Sequence, residues 1–360
     1  MRIGMISPYS LSVPGGVQNQ ILALGRALRR RGVSVRVLGP CDGPPPEPFV
    51  TPLGNSVPTG ANGSVAPLAP DLAAQLRTIR ALRDEEFDLL HLHEPMAPGP
   101  TMTAMLMKST PIVATFHAAG SSRAYEVFKP LTSRGANRID VRFAVSDDAA
   151  ALAQRSLGGT YRSAFNAVEI NRFRTQDCQQ RDKPNVFFLA RHEDRKGLGV
   201  LLEAFAGLDA DCGLWVGGVG PETEALKDQY GSDERIEWLG EIDEDEKVRR
   251  MRRADVFSAP SLRGESFGIV LLEAMAAQTA VICSSLSGYR KVIECPDGAK
   301  AAMAVTPGSV EELRSGLAEL LASPQRRNEL VEAGSRRVEA FSMARLADLY
   351  IETYRSLIGD

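Results

Sequence analysis

Two glutamates in one short segment are the residues whose types and spacing point most directly to chemistry. Glu265 and Glu273 lie eight residues apart, with glycines at 264 and 268 beside them. Glycine lets a ligand approach the backbone closely, a helix N terminus attracts phosphate, and carboxylates accept hydrogen bonds from sugar hydroxyls. The segment predicts a site for a sugar attached to a phosphate. Taken alone, the pair would favour the alternative, a helix cap followed by a surface glutamate.

Two cations occur earlier in the same half of the chain. Arg191 and Lys196 follow the apolar run 186–190, which predicts a strand. Paired cations beside a helix start can neutralise a diphosphate. Glycines at 217, 218 and 220, after the next predicted strand, allow a nucleotide to approach the backbone. For the cations alone, the alternative is a solvated charged loop. The presence of the two glutamates in the same half of the chain makes that alternative weaker than a diphosphate site.

Three of the four histidines fall at or near the ends of two further predicted strands. Polar residues at the carboxyl ends of parallel strands commonly build sites. His91 and His93 flank a single strand residue, and no carboxylate recurs beside the histidines to complete a set of metal ligands. This pattern argues against a metal site. His117, at a strand end, is the functional candidate, and a capping or packing histidine is the alternative.

The elements that must position these residues form two series. Apolar runs alternate with amphipathic helices from residue 2 and again from residue 186, which predicts two parallel, doubly wound sheets. The polar stretch 175–184 between them predicts a linker. Residues 41–71 are rich in proline and glycine and predict a long irregular excursion over the sheet edge. The chain after Pro307 is predicted to be helical.

Composition narrows the class of protein. A net charge of −3 gives no global field towards nucleic acid or an anionic membrane, so any basic surface must be local. Five scattered cysteines without a C-x-x-C pair indicate reduced thiols in a cytosol. Arg77, Arg80 and Arg83 share one stripe of the predicted helix 71–83, and a leucine-rich set shares another. Such a helix can lie on an anionic membrane, and a solvated charged face is the alternative.

Together these features resemble the retaining glycosyltransferases of family 4, which have the GT-B fold. The resemblance covers almost the whole chain and rests on the ordered set: Pro-Gly-Gly-Val at 14–17, His117, Arg191 with Lys196, the glycine loop at 217–222 and the two glutamates. Within that family the chain resembles most the actinobacterial phosphatidylinositol mannosyltransferases. That similarity is carried by residues 1–5, 8–10, 13–18, 62–66, 91–95 and 264–273.

The family has two Rossmann-like α/β domains that face each other across a cleft, and its last helix crosses back onto the first domain. The resemblance therefore implies an acceptor-binding domain at 1–174, a nucleotide-sugar-binding domain at 184–341 and a C-terminal helix at 342–360 that packs on the first domain. It also implies no tightly bound cofactor and no strict need for a metal.

The resemblance assigns roles to single residues. His117 would orient the transferred sugar, Arg191 and Lys196 would hold the diphosphate, and Glu265 would bind sugar hydroxyls; these four form the catalytic set. Glu273 would bind the ribose. The other implied donor-binding residues are Gly16, Ile242, Lys247, Phe267, Gly268 and Ile269.

The acceptor side matches the inositol-lipid enzymes less completely. Tyr9, Gln18, Asn62 and Ser64 match them, whereas Ser12 and Pro67 stand where they have an aspartate and an arginine. The basic helix, with Arg77, Arg80 and Arg83, falls where those enzymes touch membrane.

The implied function is transfer of α-mannose from GDP-mannose to phosphatidyl-myo-inositol at the cytoplasmic membrane face, without a nucleic-acid partner. Two alternatives stay open. One is another nucleotide sugar, such as UDP-N-acetylglucosamine, with a soluble inositol phosphate or another acceptor. The other is a nucleotide-sugar-binding protein without turnover, which the unusual Ala167 and Gln278 loops suggest.

Overall fold

The structure is a computed structural model that describes residues 1–13, 15–61, 64–117, 135–174, 183–265 and 267–359. It divides into two compact units. Unit 1 comprises Met1–Ala167 together with Met343–Asp360, and unit 2 comprises Val168–Ser342. Most of the predicted linker 175–184 lies outside the described residues.

Unit 1 is built on a seven-stranded sheet whose strand pairs are all parallel. Its strand order is β3-β2-β1-β6-β7-β8-β9. The chain therefore adds β2 and β3 on one side of β1 and then adds β6 to β9 on the other side. This reversal places a topological switch point, where α/β sheets bind ligands, between β1 and β6. The strands are β1 (Arg2–Ile6), β2 (Ser34–Gly39), β3 (Val50–Pro52), β6 (Leu89–His93), β7 (Ile112–Phe116), β8 (Val141–Ala144) and β9 (Arg162–Ser163).

Unit 2 repeats this plan with a six-stranded parallel sheet in the order β12-β11-β10-β13-β14-β15. Its switch point lies between β10 and β13. The strands are buried on both faces by helices, which explains their continuous apolar runs. They are β10 (Asn185–Leu189), β11 (Gly213–Gly217), β12 (Ile236–Gly240), β13 (Val256–Ala259), β14 (Ala280–Ser284) and β15 (Met303–Val305).

Helices connect the strands in both units. Those of unit 1 are α1 (Gly16–Arg30), α2 (Leu72–Asp84), α3 (Pro100–Met107) and α4 (Asp147–Leu157). Those of unit 2 are α5 (Ile170–Arg174), α6 (Leu198–Ala206), α7 (Thr223–Tyr230), α8 (Glu244–Arg253), α9 (Ile269–Ala276), α10 (Ser287–Ile293), α11 (Val310–Ala322) and α12 (Pro324–Glu339). The last helix, α13 (Met343–Ile358), belongs to unit 1.

The apolar face of α13 is part of the unit 1 core. Leu346, Tyr350 and Tyr354 are buried there in one cluster with Ile21 and Leu28 of α1. Arg31, at the end of α1, also forms an ion pair with Asp348 at 2.5 Å. These contacts attach the C-terminal helix to the same unit as the N-terminal strand.

The expectation that 41–71 holds little regular structure is wrong. The segment contains β3 and an antiparallel hairpin of β4 (Val57–Ala61) and β5 (Ser64–Leu68), with Thr59 opposite Ala66. The hairpin is a two-stranded sheet in which Pro58 and Pro67 are partners, so each proline can lie where the ladder needs no N–H. High proline content therefore did not prevent strand formation.

Helix α2 forms as predicted, but its leucine stripe is not uniformly buried. Ala74, Thr78 and Leu82 face the interior, whereas Leu72 and Leu76 are 68% and 56% exposed. The first two turns of α2 thus present apolar side chains to solvent.

Candidate functional site

Two loops at the unit 2 switch point bring a predicted cation and a predicted carboxylate together. Lys196 follows β10, Glu265 follows β13, and Lys196 Nζ donates to Glu265 Oε1. Ser261 Oγ donates to the same oxygen at 3.1 Å, and Arg195 Nη1 lies 3.8 Å from it. The Lys196 and Glu265 side chains are only 20% and 13% exposed. The structure therefore holds a partly buried cation–carboxylate cluster at this edge of the sheet.

A glycine allows these two loops to meet. Gly197 has a left-handed φ of 71°, and a Cβ on it would lie 2.1 Å from the Pro260 carbonyl oxygen. The Leu262 N–H also donates to the Arg195 carbonyl at 2.8 Å, which ties the loops together. Any larger residue at 197 would separate Lys196 from its partner.

A cavity of about 260 Å³ opens beside this cluster. Its size and its convergent cations suit a small, multiply charged anion. Arg191 is 57% exposed and lies 3.3 Å from Glu193, so its guanidinium can reach solvent and ligand alike. Residues that line the cavity include Arg191, Arg195, Lys196, Ser258, Ser261 and Tyr289.

The second glutamate forms its own pair. Glu273 Oε1 accepts from Lys247 Nζ at 2.7 Å, and Glu244 Oε2 lies 2.9 Å from the same nitrogen. Burial alone would lower the Lys247 pKa, but the two carboxylates outweigh it and the pKa is raised. Lys247 therefore stays charged although its side chain is only 9% exposed. Ile242 lies near the end of β11, 3.5 Å from where a Cβ on Gly217 would be.

The start of α9 offers backbone donors. Gly268 caps the helix with a left-handed φ of 93°, and within the described residues no side chain caps it. A Cβ at Gly268 would lie 2.7 Å from Tyr289 Cδ1, so glycine is required there. Phe267 is buried, with its ring centroid 5.7 Å from that of Phe341. The N–H groups that begin with Ile269 can thus receive an anion.

In unit 1 the histidines line up along the carboxyl ends of β6 and β7. His93 Nδ1 lies 3.0 Å from His117 Nε2, and the His91 and His93 rings stack with centroids 4.4 Å apart. The backbone N–H of His117 donates to Glu94 Oε1. Burial lowers the pKa of His91 to about 3 and that of His117 to about 4, so both rings are neutral near pH 7. No group of three or more potential metal ligands occurs in the part of the chain that the structure describes.

His91 connects this row to the C-terminal helix. Its Nδ1 lies 2.6 Å from the Tyr354 hydroxyl and its Nε2 lies 2.8 Å from Thr115 Oγ1. The Tyr350 hydroxyl is in turn 2.8 Å from Thr115 Oγ1. Both ring nitrogens are satisfied inside the core, which favours a structural role for His91.

The predicted acceptor residues of unit 1 are described only in part. Tyr9 follows β1, and burial, aided by the charge of Glu94, raises the pKa of its phenol. Gln18 is buried in the first turn of α1, where Gly16 is exposed. Asn62 lies outside the described residues, and of Ser64 only the backbone, which begins β5, is described.

The arginines predicted to meet a membrane lie on the solvent side of α2. Arg80 is 84% exposed and pairs with Asp84 at 3.3 Å, and Arg83 is also exposed. Arg77 reaches back and donates to the Leu53 carbonyl at 3.3 Å. Leu72 and Leu76 accompany them, so the exposed surface of α2 is both basic and apolar.

Sequence reasoning missed three residues of the unit 2 cluster. Arg195 belongs to the same charged loop as Arg191, and Ser261 follows β13 as a polar residue at a strand end, so both carried a signal. Tyr289, whose hydroxyl is 3.0 Å from Ser261 Oγ, comes from α10 and follows no pattern in the sequence.

The two unusual loops are accommodated. The Ala167 backbone donates to Gln20 Oε1 at 2.8 Å and accepts from Gln20 Nε2 at 2.7 Å. Gln278 adopts the left-handed conformation itself, with a φ of 59°. Both Ala167 and Gln278 fit the surrounding backbone, which weakens the case for a non-catalytic protein.

Comparison with known proteins agrees with this architecture. Residues 14–169 match the family described as Glycosyltransferase Family 4, and residues 170–337 match Glycosyl transferases group 1. Sucrose-phosphate synthase from Thermosynechococcus elongatus superposes with a TM-score of 0.75 at 20% identity, over 99% of each chain. Anabaena HepE, solved with UDP and glucose, superposes with a TM-score of 0.75 at 18% identity, over 99% of this chain and 100% of its own.

The chain therefore belongs to the family 4 glycosyltransferases and has the GT-B fold. Its relatives include phosphatidyl-myo-inositol mannosyltransferases. That of Mycobacterium leprae is 39% identical over 99% of this chain and 97% of its own length. That of Mycolicibacterium smegmatis is 37% identical over 100% of this chain and 95% of its own.

Proposed function

We propose that the protein is a retaining α-mannosyltransferase that moves mannose from GDP-mannose to phosphatidyl-myo-inositol at the cytoplasmic face of the membrane. The observation that carries the proposal is the cluster of Lys196, Arg195 and Glu265 around a cavity at the unit 2 switch point. Full-length relatives with that name at 37–39% identity support the choice of sugar and lipid.

In this scheme the cations hold the diphosphate of the donor. As the bond between sugar C1 and the diphosphate oxygen breaks, negative charge accumulates on the leaving group. Arg191, Lys196 and the N–H groups at the start of α9 stabilise that charge more in the transition state than in the ground state. No separate acid is needed because a nucleoside diphosphate is already a good leaving group.

The glutamates hold hydroxyl groups. Lys196 and Ser261 hold Glu265 through Oε1, and the carboxylate accepts hydrogen bonds from hydroxyls of the transferred sugar. Glu273, whose charge is balanced by Lys247, binds the ribose hydroxyls, and Ile242 lies beside the base. The Phe267 and Gly268 amides complete the donor contacts.

Unit 1 supplies the acceptor groups and His117. His117 is neutral, so it serves as a hydrogen-bond partner of the transferred sugar rather than as a charge. The family resemblance assigns Gly16 to donor binding and Tyr9, Gln18, Asn62 and Ser64 to the inositol headgroup. The acceptor hydroxyl bonds to C1 on the face that the diphosphate leaves, and its proton passes to the departing phosphate oxygen.

A lipid acceptor requires contact with a membrane. Within the described residues, no helix combines the length and the hydrophobicity needed to cross a bilayer. The exposed surface of α2 combines Arg80 and Arg83 with Leu72 and Leu76, which is the chemistry of a helix that lies on an anionic surface. Peripheral binding through α2, also using Arg77, is therefore part of the proposal.

Turnover on vesicles tests the function. We expect the full chain to release GDP when it is given GDP-mannose and vesicles that contain phosphatidylinositol. Vesicles of phosphatidylglycerol at equal surface charge are the matched control and should give no release. Release with soluble inositol phosphate alone would overturn the lipid acceptor, and tighter calorimetric binding of UDP than of GDP would overturn the donor.

A further inference from the structure

His93 is a buried residue to which the proposed reaction assigns no role. It is 2% exposed and lies between His91 and His117. Its Nδ1 is 3.0 Å from His117 Nε2. Its Nε2 is buried and has no hydrogen-bond partner among the described residues. This asymmetry between the two ring nitrogens determines which way the shared hydrogen bond runs.

Two neutral imidazoles can share one hydrogen bond in two ways, because each ring carries a single N–H. If His117 Nε2 donates, His93 must carry its proton on Nε2, where a buried N–H would have no acceptor. If His93 Nδ1 donates, its Nε2 is an unprotonated lone pair. Native structures tolerate an unsatisfied acceptor better than an orphaned buried N–H, so the second arrangement is favoured.

A second contact reaches the same ring. The Asn166 side chain hydrogen-bonds the His117 ring and raises its pKa, which opposes the effect of burial. An amide can accept as well as donate, so it can serve a ring N–H. With Nε2 taken by His93, Nδ1 is the His117 nitrogen that remains to carry a proton.

We infer that His93 is a positioning residue that donates from Nδ1 to His117 Nε2 and thereby holds His117 in the tautomer with its proton on Nδ1. His117 then carries its one ring N–H on Nδ1, where the Asn166 side chain or, once bound, a sugar or inositol oxygen can accept it, and it offers no lone pair that could remove a proton. This consequence rests on the proposed function, whereas the tautomer does not.

Nitrogen NMR of the full chain tests the tautomer directly. With ¹⁵N-labelled histidine, long-range proton–nitrogen correlations distinguish a protonated ring nitrogen from an unprotonated one. The chain has four histidines, so single substitutions assign every signal. We expect His117 to be protonated on Nδ1 near pH 7. A proton on Nε2, or an even mixture of the two forms, would overturn the inference.

A matched pair of variants sharpens the test. His93→Asn places an amide where Nδ1 lies and can still donate, whereas His93→Asp has the same shape and can only accept. We expect His93→Asn to keep the Nδ1 proton on His117 and His93→Asp to move it to Nε2. Identical His117 spectra in the two variants would contradict the assignment.

Kinetics separate this inference from the proposed function. We expect kcat to fall roughly 100-fold in His93→Asp while the calorimetric affinity for GDP is unchanged, with most of the rate retained in His93→Asn. Equal kcat values in the two variants would overturn the catalytic consequence. An Nδ1 proton in a protein that transfers no mannose would reject the proposed function and leave the tautomer assignment standing.

Discussion

The two sheet edges bury polar side chains in opposite ways. In unit 1, His91 and His93 are almost fully buried, and burial keeps them neutral by lowering their pKa. In unit 2, Lys247 is equally enclosed but stays charged, because Glu273 and Glu244 balance it. The buried histidines of unit 1 are therefore uncharged, whereas the buried lysine of unit 2 keeps its charge in ion pairs.

This difference matches what each edge is proposed to bind. A row of neutral rings and hydroxyls can make directional hydrogen bonds to uncharged sugar and inositol hydroxyls. A diphosphate needs cations, and cations survive burial only when carboxylates or a ligand compensate them. Glu265 therefore pairs with Lys196 and compensates its charge.

Removing the central cation of unit 2 should have the largest effect. Lys196→Ala takes away a charge that stabilises the leaving diphosphate, so kcat/KM should fall about 1,000-fold, or about 4 kcal/mol. The matched control is Lys300→Ala, because Lys300 is 59% exposed and pairs with Glu294 at 3.6 Å. Steady-state GDP release measures both variants. An unchanged rate in Lys196→Ala would contradict the site assignment.

Acidification should destabilise unit 1 more than unit 2. A histidine whose folded pKa lies below its unfolded value of 6.5 contributes fully above that value, and its contribution is lost as the pH falls towards the folded pKa. Unit 1 holds three such histidines and unit 2 holds one, His192. Between pH 6 and pH 5 each costs up to about 1 kcal/mol, so unit 1 should lose roughly 3 kcal/mol and unit 2 no more than about 1.

Spectroscopy can follow the two units separately. Both tryptophans, Trp215 and Trp238, lie in unit 2, so their fluorescence reports that unit alone, whereas far-UV circular dichroism reports both. Urea unfolding at pH 5 should show a circular dichroism transition that begins before the fluorescence transition. Coincident transitions at every pH would refute the difference between the units.

Loss of one hydroxyl should have the smallest effect. Tyr354→Phe leaves His91 Nδ1 buried without its partner and should lower the free energy of unfolding by about 1–3 kcal/mol. Tyr350→Phe is the matched control on the same helix: Thr115 can turn its hydroxyl to His91, so the loss should be smaller. Urea midpoints by circular dichroism compare the two. A larger loss in Tyr350→Phe would contradict the network.

The regular alternation of apolar runs with amphipathic helices made most of the fold predictable. Parallel strands buried on both faces require continuous apolar runs, and the strand predicted from the run 186–190 corresponds to β10, Asn185–Leu189. The excursion at 41–71 was misjudged because two-stranded pairing tolerates prolines that a central strand would reject. The exposure of Leu72 and Leu76 could not be predicted, because periodicity shows which residues share a face and not what covers that face.

The sequence by itself determined the two sheets and the charged and polar residues that follow their strands, since these depend on local patterns. Only the tertiary structure decided the partners. Lys196 meets Glu265 from 69 positions away, and His91 meets Tyr354 from 263 positions away. Such pairings follow from strand order and from the docking of α13, which bring distant segments to one sheet edge. Hydrogen-bond direction and pKa depend on that enclosure, so no local pattern could specify them.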